Sequence, residues 1–354
     1  MKKTKSWKYL RHQARRMKKC ARQRKSHKSN RLIRIHKNVV HSMKYGGKPH
    51  SRVFPEISAP KDFRFIENTD ECAKFFKLLR SNGNISERNY ERFKTVRLTE
   101  VGLIDFPAVH TLTAICKELK CSHINVYGNL PHNDFCRKFM IDSGFLDNKY
   151  DRQGNLFRIS SQTETMSFEM GQGSKLQTKH IINLLNISTN ISKHLSNVSN
   201  DYPRRLMPIL KEICGNSIDW SESYKKQWFF AARFDEQKVV VAVIDLGQGI
   251  LMSLERKFVS RVADFFQGKK PLDILEGAFK QKYGSKSREV NRNKGLPSIR
   301  FAHEHSHIND LVVITNNVIL SFGSPTKSHT FATSKSAFNG TIYCFTIDSN
   351  CLTA

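Results

Sequence analysis

Beyond residue 60, short apolar runs suited to strands take turns with amphipathic stretches suited to helices. This alternation limits the possible folds more than any other feature of the chain. Thr69 to Ser81 carries helical spacing, with Thr69 or Asp70 placed to cap its start. A strand reading begins at Thr95-Val-Arg-Leu-Thr99, and Asp105-Phe106 then leads into an amphipathic helix from Pro107 to Lys120. His123 to Tyr127 reads as a short strand, and Asn133 to Ser143 as a helix that Gly144 stops. Strands interleaved with helices predict a largely parallel or mixed sheet covered by helices.

Residues 150–175 are polar, contain Gly154, Gly171 and Gly173, and read as a connection. A helix is expected from Leu176 to Leu195, and a second, after Tyr202-Pro203, from Arg204 to about Trp220. Trp228 to Phe234 and Val239 to Ile244 are strand-like runs on either side of the turn Asp235-Glu236-Gln237. Leu311 to Thr315, Val318 to Phe322 and Thr341 to Ile347 complete the strands. The fold class predicted for the whole is α/β in the broad sense, including α+β.

A chain of 354 residues suggests two or three domains, and 39% apolar against 25% charged residues lets most of it bury a core. No apolar run approaches the roughly 18 residues of a membrane span, and no apolar stretch follows the charged start as in a secretory signal. The eight cysteines contain no C-x-x-C pair, which favours reduced thiols in a cytoplasmic protein. The net charge of +28 is unevenly spread: residues 1–50 hold 18 Lys or Arg and no acid, leaving +10 for the other 304. Within this arm Trp7, Leu10, Ala14, Met17 and Ala21 would form a narrow apolar stripe on a helix. Arg11, Arg15, Arg16, Lys18, Lys19 and Arg22 would fill the other faces. Such an arm suits nucleic acid, an anionic membrane surface, docking on its own protein, or a solvated tail. Tyr45-Gly-Gly and Pro49 mark a linker.

Four later segments carry chemistry. In Glu212-Ile-Cys-Gly-Asn216-Ser-Ile-Asp219 the polar residues stand at i, i+4 and i+7, on one helical face. An Asn oxygen is a hard donor suited to Mg²⁺, and a carboxylate one turn away can take a proton from a water attacking phosphate. In Val243-Ile-Asp245-Leu-Gly247-Gln-Gly249-Ile250 an apolar strand runs into an Asp and two glycines. There the backbone can approach a ligand and the Asp can accept an exocyclic amine. Tyr283 through Ile299 is a basic loop ending at Asn293-Lys294-Gly295-Leu296-Pro297, a helix start whose amides attract phosphate. Phe338-Asn-Gly340-Thr341 is a glycine turn entering the last strand.

In this order the four segments resemble the N box and glycine boxes of GHKL ATPases, the fold shared by gyrase B, mismatch-repair ATPases, histidine kinases and anti-sigma-factor kinases. The likeness covers about residues 200–348 and implies a two-layer α/β sandwich that binds ATP with Mg²⁺. It implies that Asp245 accepts the adenine amine, that Gly247, Gly249 and Ile250 form the turn beneath the nucleotide, and that Asn216 holds Mg²⁺. Glu212 would activate water, and Asp219, in a run that resembles the type II topoisomerase version of the box, would line the site. Gly295 and Leu296 would offer amides to phosphate, and Thr341 would support the adenine-side network. Lys286, Arg288, Arg292 and Lys294 of the lid would neutralise phosphate charge. The third box departs from the family pattern, lacking its outer glycines and carrying Pro297. Trp220 stands where kinase-like and STAS-associated relatives often have histidine, which leaves the subfamily open. Residues 56–150 resemble a STAS-type domain, the fold of anti-sigma-factor antagonists, through element order and the strand, loop and helix around Asp105.

The expected organisation is an arm and linker (1–55), a STAS-like domain (56–150), a connector and helix (151–199), an ATP-binding domain (200–348) and a tail (349–354). The function implied is a cytoplasmic, homodimeric, Mg²⁺-dependent ATPase acting as a conformational switch. The arm would take nucleic acid and the STAS-like domain a protein partner. The alternatives are a serine or histidine kinase of the anti-sigma-factor type, with His180 or His194 in the region of a phosphoacceptor, and a nucleic-acid-binding protein with a degenerate ATP fold.

Overall fold

The computed structural model describes residues 55–353, apart from 89–90, 147–148, 150–156, 158–165, 173–175, 197–200, 221–226, 259–267, 281–294 and 333–336. The basic arm, with Arg11, Arg15, Arg16, Lys18, Lys19 and Arg22, and the lid residues through Lys294 lie outside the described residues, as does the side chain of Asp219.

In chain order the elements are β1 (Glu56–Ser58), β2 (Asp62–Phe63), α1 (Thr69–Arg80), β3 (Ser86–Arg88), β4 (Glu91–Arg97), β5 (Leu103–Ile104), α2 (Phe106–Cys121), β6 (Ile124–Gly128) and α3 (Asp134–Asp142). Then follow β7 (Met166–Gln172), α4 (Thr178–Leu195), α5 (Tyr202–Trp220), β8 (Gln227–Phe234), β9 (Lys238–Asp245), α6 (Ile250–Phe258), α7 (Pro271–Phe279) and α8 (Gly295–Glu304). The chain ends with β10 (Asn309–Asn316), β11 (Val318–Ser321), β12 (His329–Thr330), β13 (Phe338–Asp348) and α9 (Ser349–Thr353). The class is α+β. Among the described residues no helix is long and apolar enough to cross a membrane.

Two larger sheets organise this unit. In the smaller one, β4 pairs in parallel with β1 and β6 and antiparallel with β3, the mixed sheet expected from the alternation. The larger has seven strands in the order β12-β11-β10-β13-β9-β8-β7, with every pairing antiparallel. Its edge strand β7 falls in the stretch that reads as a connection from sequence. Met166, Phe168 and Met170 do alternate with polar or small residues there, but the glycines and polar neighbours obscure the period of two.

β8 and β9 read as nearly unbroken apolar runs because both faces of the large sheet are covered. On one face Phe230, Val241, Val243, Val313 and Phe345 pack against Leu184 of α4, Leu210 and Ile213 of α5, Leu275 of α7 and Ile299 of α8. On the other, Phe229, Ile244, Val312, Ile314 and Ile342 pack against Phe76 and Leu79 of α1 and Leu112 and Ile115 of α2. α2 therefore lies between two sheets, and its burial runs almost around the helix, from Phe106 to Leu119.

Local chemistry fixes the ends of these helices. The Asp105 carboxylate caps α2 by accepting the Ala108 amide at 2.8 Å, and it also accepts the Ile66 amide at 3.1 Å. Burial pushes its carboxyl up to about 6 against those amide bonds. At α1 the cap position is Asn68, ahead of the expected Thr69 or Asp70, and its side chain makes no capping bond. The Asn68 amide Nδ2 donates instead to the Asp62 carbonyl, and Thr69 Oγ1 reaches back to the Ile66 carbonyl. Among the described residues all seven cysteines are free, five of them buried.

Candidate active site

The face of the large sheet that meets α5 turns polar at one end. Side chains alternate along β9, so Asp245 follows Val241 and Val243 onto this face. It stands opposite Thr341 on β13 and Trp228 on β8. Asp245 is only 5% exposed, and burial pushes its carboxyl up to about 7. The Gly247 amide, which donates to Asp245 Oδ1 at 2.8 Å, and the charge of Arg80 act in the opposite direction.

The loop after Asp245 is held by a network that local sequence does not announce. Ile250 N–H donates to Thr315 Oγ1 (2.9 Å) and Leu251 N–H to Asn316 Oδ1 (3.0 Å), so β10 satisfies the first free amides of α6. Asn316 Nδ2 returns to the Gln248 carbonyl (2.7 Å). Thr315 Oγ1 also reaches the Gly340 carbonyl (3.0 Å) and Thr341 Oγ1 (3.2 Å). Gly249 has φ +85°, and a Cβ there would stand 2.4 Å from Asn316 Oδ1; Gly340 has φ +145°, and a Cβ would meet the Asp245 carbonyl at 2.2 Å. No motif in the local sequence marks Thr315 or Asn316 as part of this network. The signal available was the Asn316-Asn317 pair between two strands, where Asn316 adopts φ +55°.

The second cluster joins α5 to α8. Glu212 and Asn216 lie one turn apart on α5, and Gly295 begins α8 beside them. A Cβ on Gly295 would lie 2.6 Å from Glu212 Oε2 and 3.2 Å from Asn216 Oδ1. The first turn of α8, where free amides and partial positive charge gather, thus begins beside a carboxylate and a carboxamide. Leu296 is partly buried on the core of this face. Tyr343 of β13 connects the two clusters. Its hydroxyl is raised well above its ordinary range by burial and by the Asp245 charge, and lowered by the Asn216 side chain. That last contact falls short of a full hydrogen bond, since Asn216 Nδ2 is buried without a partner of good geometry.

Among the expected residues, then, the structure groups Asp245, Gly247, Gly249, Ile250 and Thr341 in one network and Glu212, Asn216 and Gly295 in another, with Tyr343 between. Among the described residues no three His, Cys, Asp or Glu side chains converge as a metal cage. The oxygens of Glu212 and Asn216 suit Mg²⁺, which takes one or two protein oxygens and fills its shell from phosphate and water. His180 is 3% exposed and lies edge-on to Trp228, with ring centroids 5.4 Å apart. His194 is exposed, and its Nε2 lies 2.7 Å from the Asp235 carbonyl. A cleft of about 410 Å³ lies on the opposite face of the sheet, beside Phe76, Arg80, Glu118, Phe338 and Asn339. It holds none of the residues expected to act, and its charged pair is satisfied internally.

No family model matches the sequence, and no curated protein matches it.

Proposed function

We propose that the α5 face of the large sheet binds ATP with Mg²⁺, and that the protein is an ATPase whose conformation follows the nucleotide. The observation that carries this reading is the meeting of Glu212, Asn216 and the first turn of α8. An anion-seeking helix start faces an oxygen donor for Mg²⁺ and a carboxylate able to orient water. Asp245 and Thr341, at the other end of Tyr343, offer acceptors for an adenine amine. When bound, Mg²⁺ would neutralise phosphate charge. Glu212 would hold and deprotonate water, Asn216 would orient the phosphate side, and Asp245 would select the base. Asp219, Lys294, Leu296 and the glycines Gly247 and Gly249 complete the proposed binding surface.

The test is incubation of the full chain with labelled ATP and Mg²⁺. Free phosphate supports the ATPase, label on protein supports a serine or histidine kinase, and neither supports a degenerate fold. The burial of His180 under Trp228 favours the ATPase over a kinase that uses this histidine as acceptor. The basic arm is proposed to bind nucleic acid, the layer of residues 56–150 to act as a STAS-like partner-binding unit, and the whole to dimerise. For the arm, deleting residues 1–50 should abolish RNA or duplex DNA binding. Its salt dependence should be steep, with a log–log slope of about −0.9 per phosphate neutralised on duplex DNA.

A further inference from the structure

Arg80, the last residue of α1, belongs to the layer on the far face of the sheet, yet it reaches the two loops that frame the proposed site. Its guanidinium is aligned by Glu118 of α2, with Nε and Nη2 each 2.9 Å from a carboxylate oxygen. In this pose Nη2 also donates to the Leu246 carbonyl (2.7 Å) and Nη1 to the Asn339 carbonyl. Leu246 directly follows Asp245, and Asn339 directly precedes Gly340 and Thr341. A single rigid fork therefore spans both turns from behind, while Thr315 and Asn316 tie the same turns from the front. Lysine cannot reproduce this, because the task needs several donors in one plane. The Arg80 and Glu118 side chains, 19% and 24% exposed, line the 410 Å³ cleft, so truncating them widens that cleft.

We propose that Arg80 is a positioning residue: with Glu118 it fixes the Leu246–Gly249 and Asn339–Thr341 turns, coupling α1 and α2 to the end of the large sheet that carries Asp245. The consequence for nucleotide rests on the ATP reading above; the clamp itself does not.

Hydrogen exchange on the ligand-free full chain separates the two. Arg80→Ala should speed exchange at the Gly247, Ile250 and Leu251 amides by about 10- to 100-fold, the scale of losing bonds from a charged donor. Arg80→Lys should fall between it and the wild type. The Ile319 and Leu320 amides of β11 should keep their rates. Unchanged rates at the three loop amides would overturn the clamp, and so would an equal acceleration of β11, which would make Arg80 a general stabiliser. In a parallel ATP titration of the same proteins, Arg80→Ala should raise the ATP Kd by about 10-fold with turnover at saturation retained. A wild type that binds no ATP removes the nucleotide reading and leaves the exchange result to decide the clamp.

Discussion

The two faces of the seven-stranded sheet are built from the same strands and do different work. Along β9, Val241, Val243 and Asp245 look toward α5, while Ile244 looks toward α1 and α2. The α5 face ends in Asp245, Thr341, Thr315 and Tyr343. The other face is largely apolar, with Gln227 bonded to Cys121 and Arg233 lying over Phe139, and is crossed at one end by the Arg80 fork and entered by His110 of α2. The parity of a residue along a strand thus decides whether it supports chemistry or packing. Substitutions of neighbouring residues should separate function from stability.

The largest expected effect is on the α5 face. Glu212→Ala should leave ATP binding in place and lower phosphate release by about 10²- to 10⁴-fold, the usual loss when a positioned general base is removed. Calorimetry for binding and a phosphate assay for turnover check the two halves, and a variant that hydrolyses like the wild type would take Glu212 out of the role.

On the other face the effect should appear in stability alone. Phe229 is fully buried between the sheet and α2, so Phe229→Ala should cost about 3–5 kcal/mol in denaturant unfolding. ATP affinity of the folded fraction should not change. A shifted Kd with unchanged stability would mean that the two faces are not separable in this way.

Asp245→Asn should move function and stability in opposite directions. Its folded carboxyl is raised, so the ionised form is disfavoured in the folded state at neutral pH and above, and replacing it with an amide removes that penalty. The variant should melt at a higher temperature above pH 7. It should bind ATP about 10-fold more weakly, since an amide has one acceptor oxygen where the carboxylate has two. A variant that gains stability and keeps full affinity would remove Asp245 from base recognition.

The sequence made most of the longer helices and strands and most members of the two clusters legible, because each lies in a segment with its own period or turn chemistry, whereas β7, α6, α7 and the shortest strands were not read from it. Gly249 and Gly340 stand in D-x-G-x-G and Gly-Thr runs, where positive φ and close approach leave little choice of residue. What was not legible depends on distant partners. Thr315 and Asn316 matter because α6 begins beside them, and Arg80 because Leu246 and Asn339 end within its reach. A lone Arg at a helix end has the local signature of a favourable dipole contact. The covering of the second face was equally hidden. The unbroken apolar runs of β8 and β9 call for two covered faces, but no spacing says that α1 and α2 supply the second cover.

The last expected effect tests that cover directly. His110 lies inside the joint between α2 and β8, with Nε2 3.3 Å from the Phe229 carbonyl. That contact requires the neutral ring to carry its proton on Nε2. Burial drives the folded imidazole down to about 3 from its ordinary 6.5, helped by Lys117 and opposed by the Phe229 carbonyl. Between those values the unfolded chain binds a proton that the folded one refuses, so stability falls as pH drops below about 6.5. From pH 7 to pH 5 the loss from this one group is about 2 kcal/mol. Asp245, whose folded carboxyl is raised to about 7, gains stability over the same interval, so the wild-type curve alone hides both effects. His110→Gln keeps an amide donor in reach of the carbonyl and has nothing to protonate. The difference in unfolding free energy between this variant and the wild type should therefore shift by about 2 kcal/mol in favour of the variant on going from pH 7 to pH 5. A constant difference across that range would mean that His110 meets water, and that the helical cover over this face opens in solution.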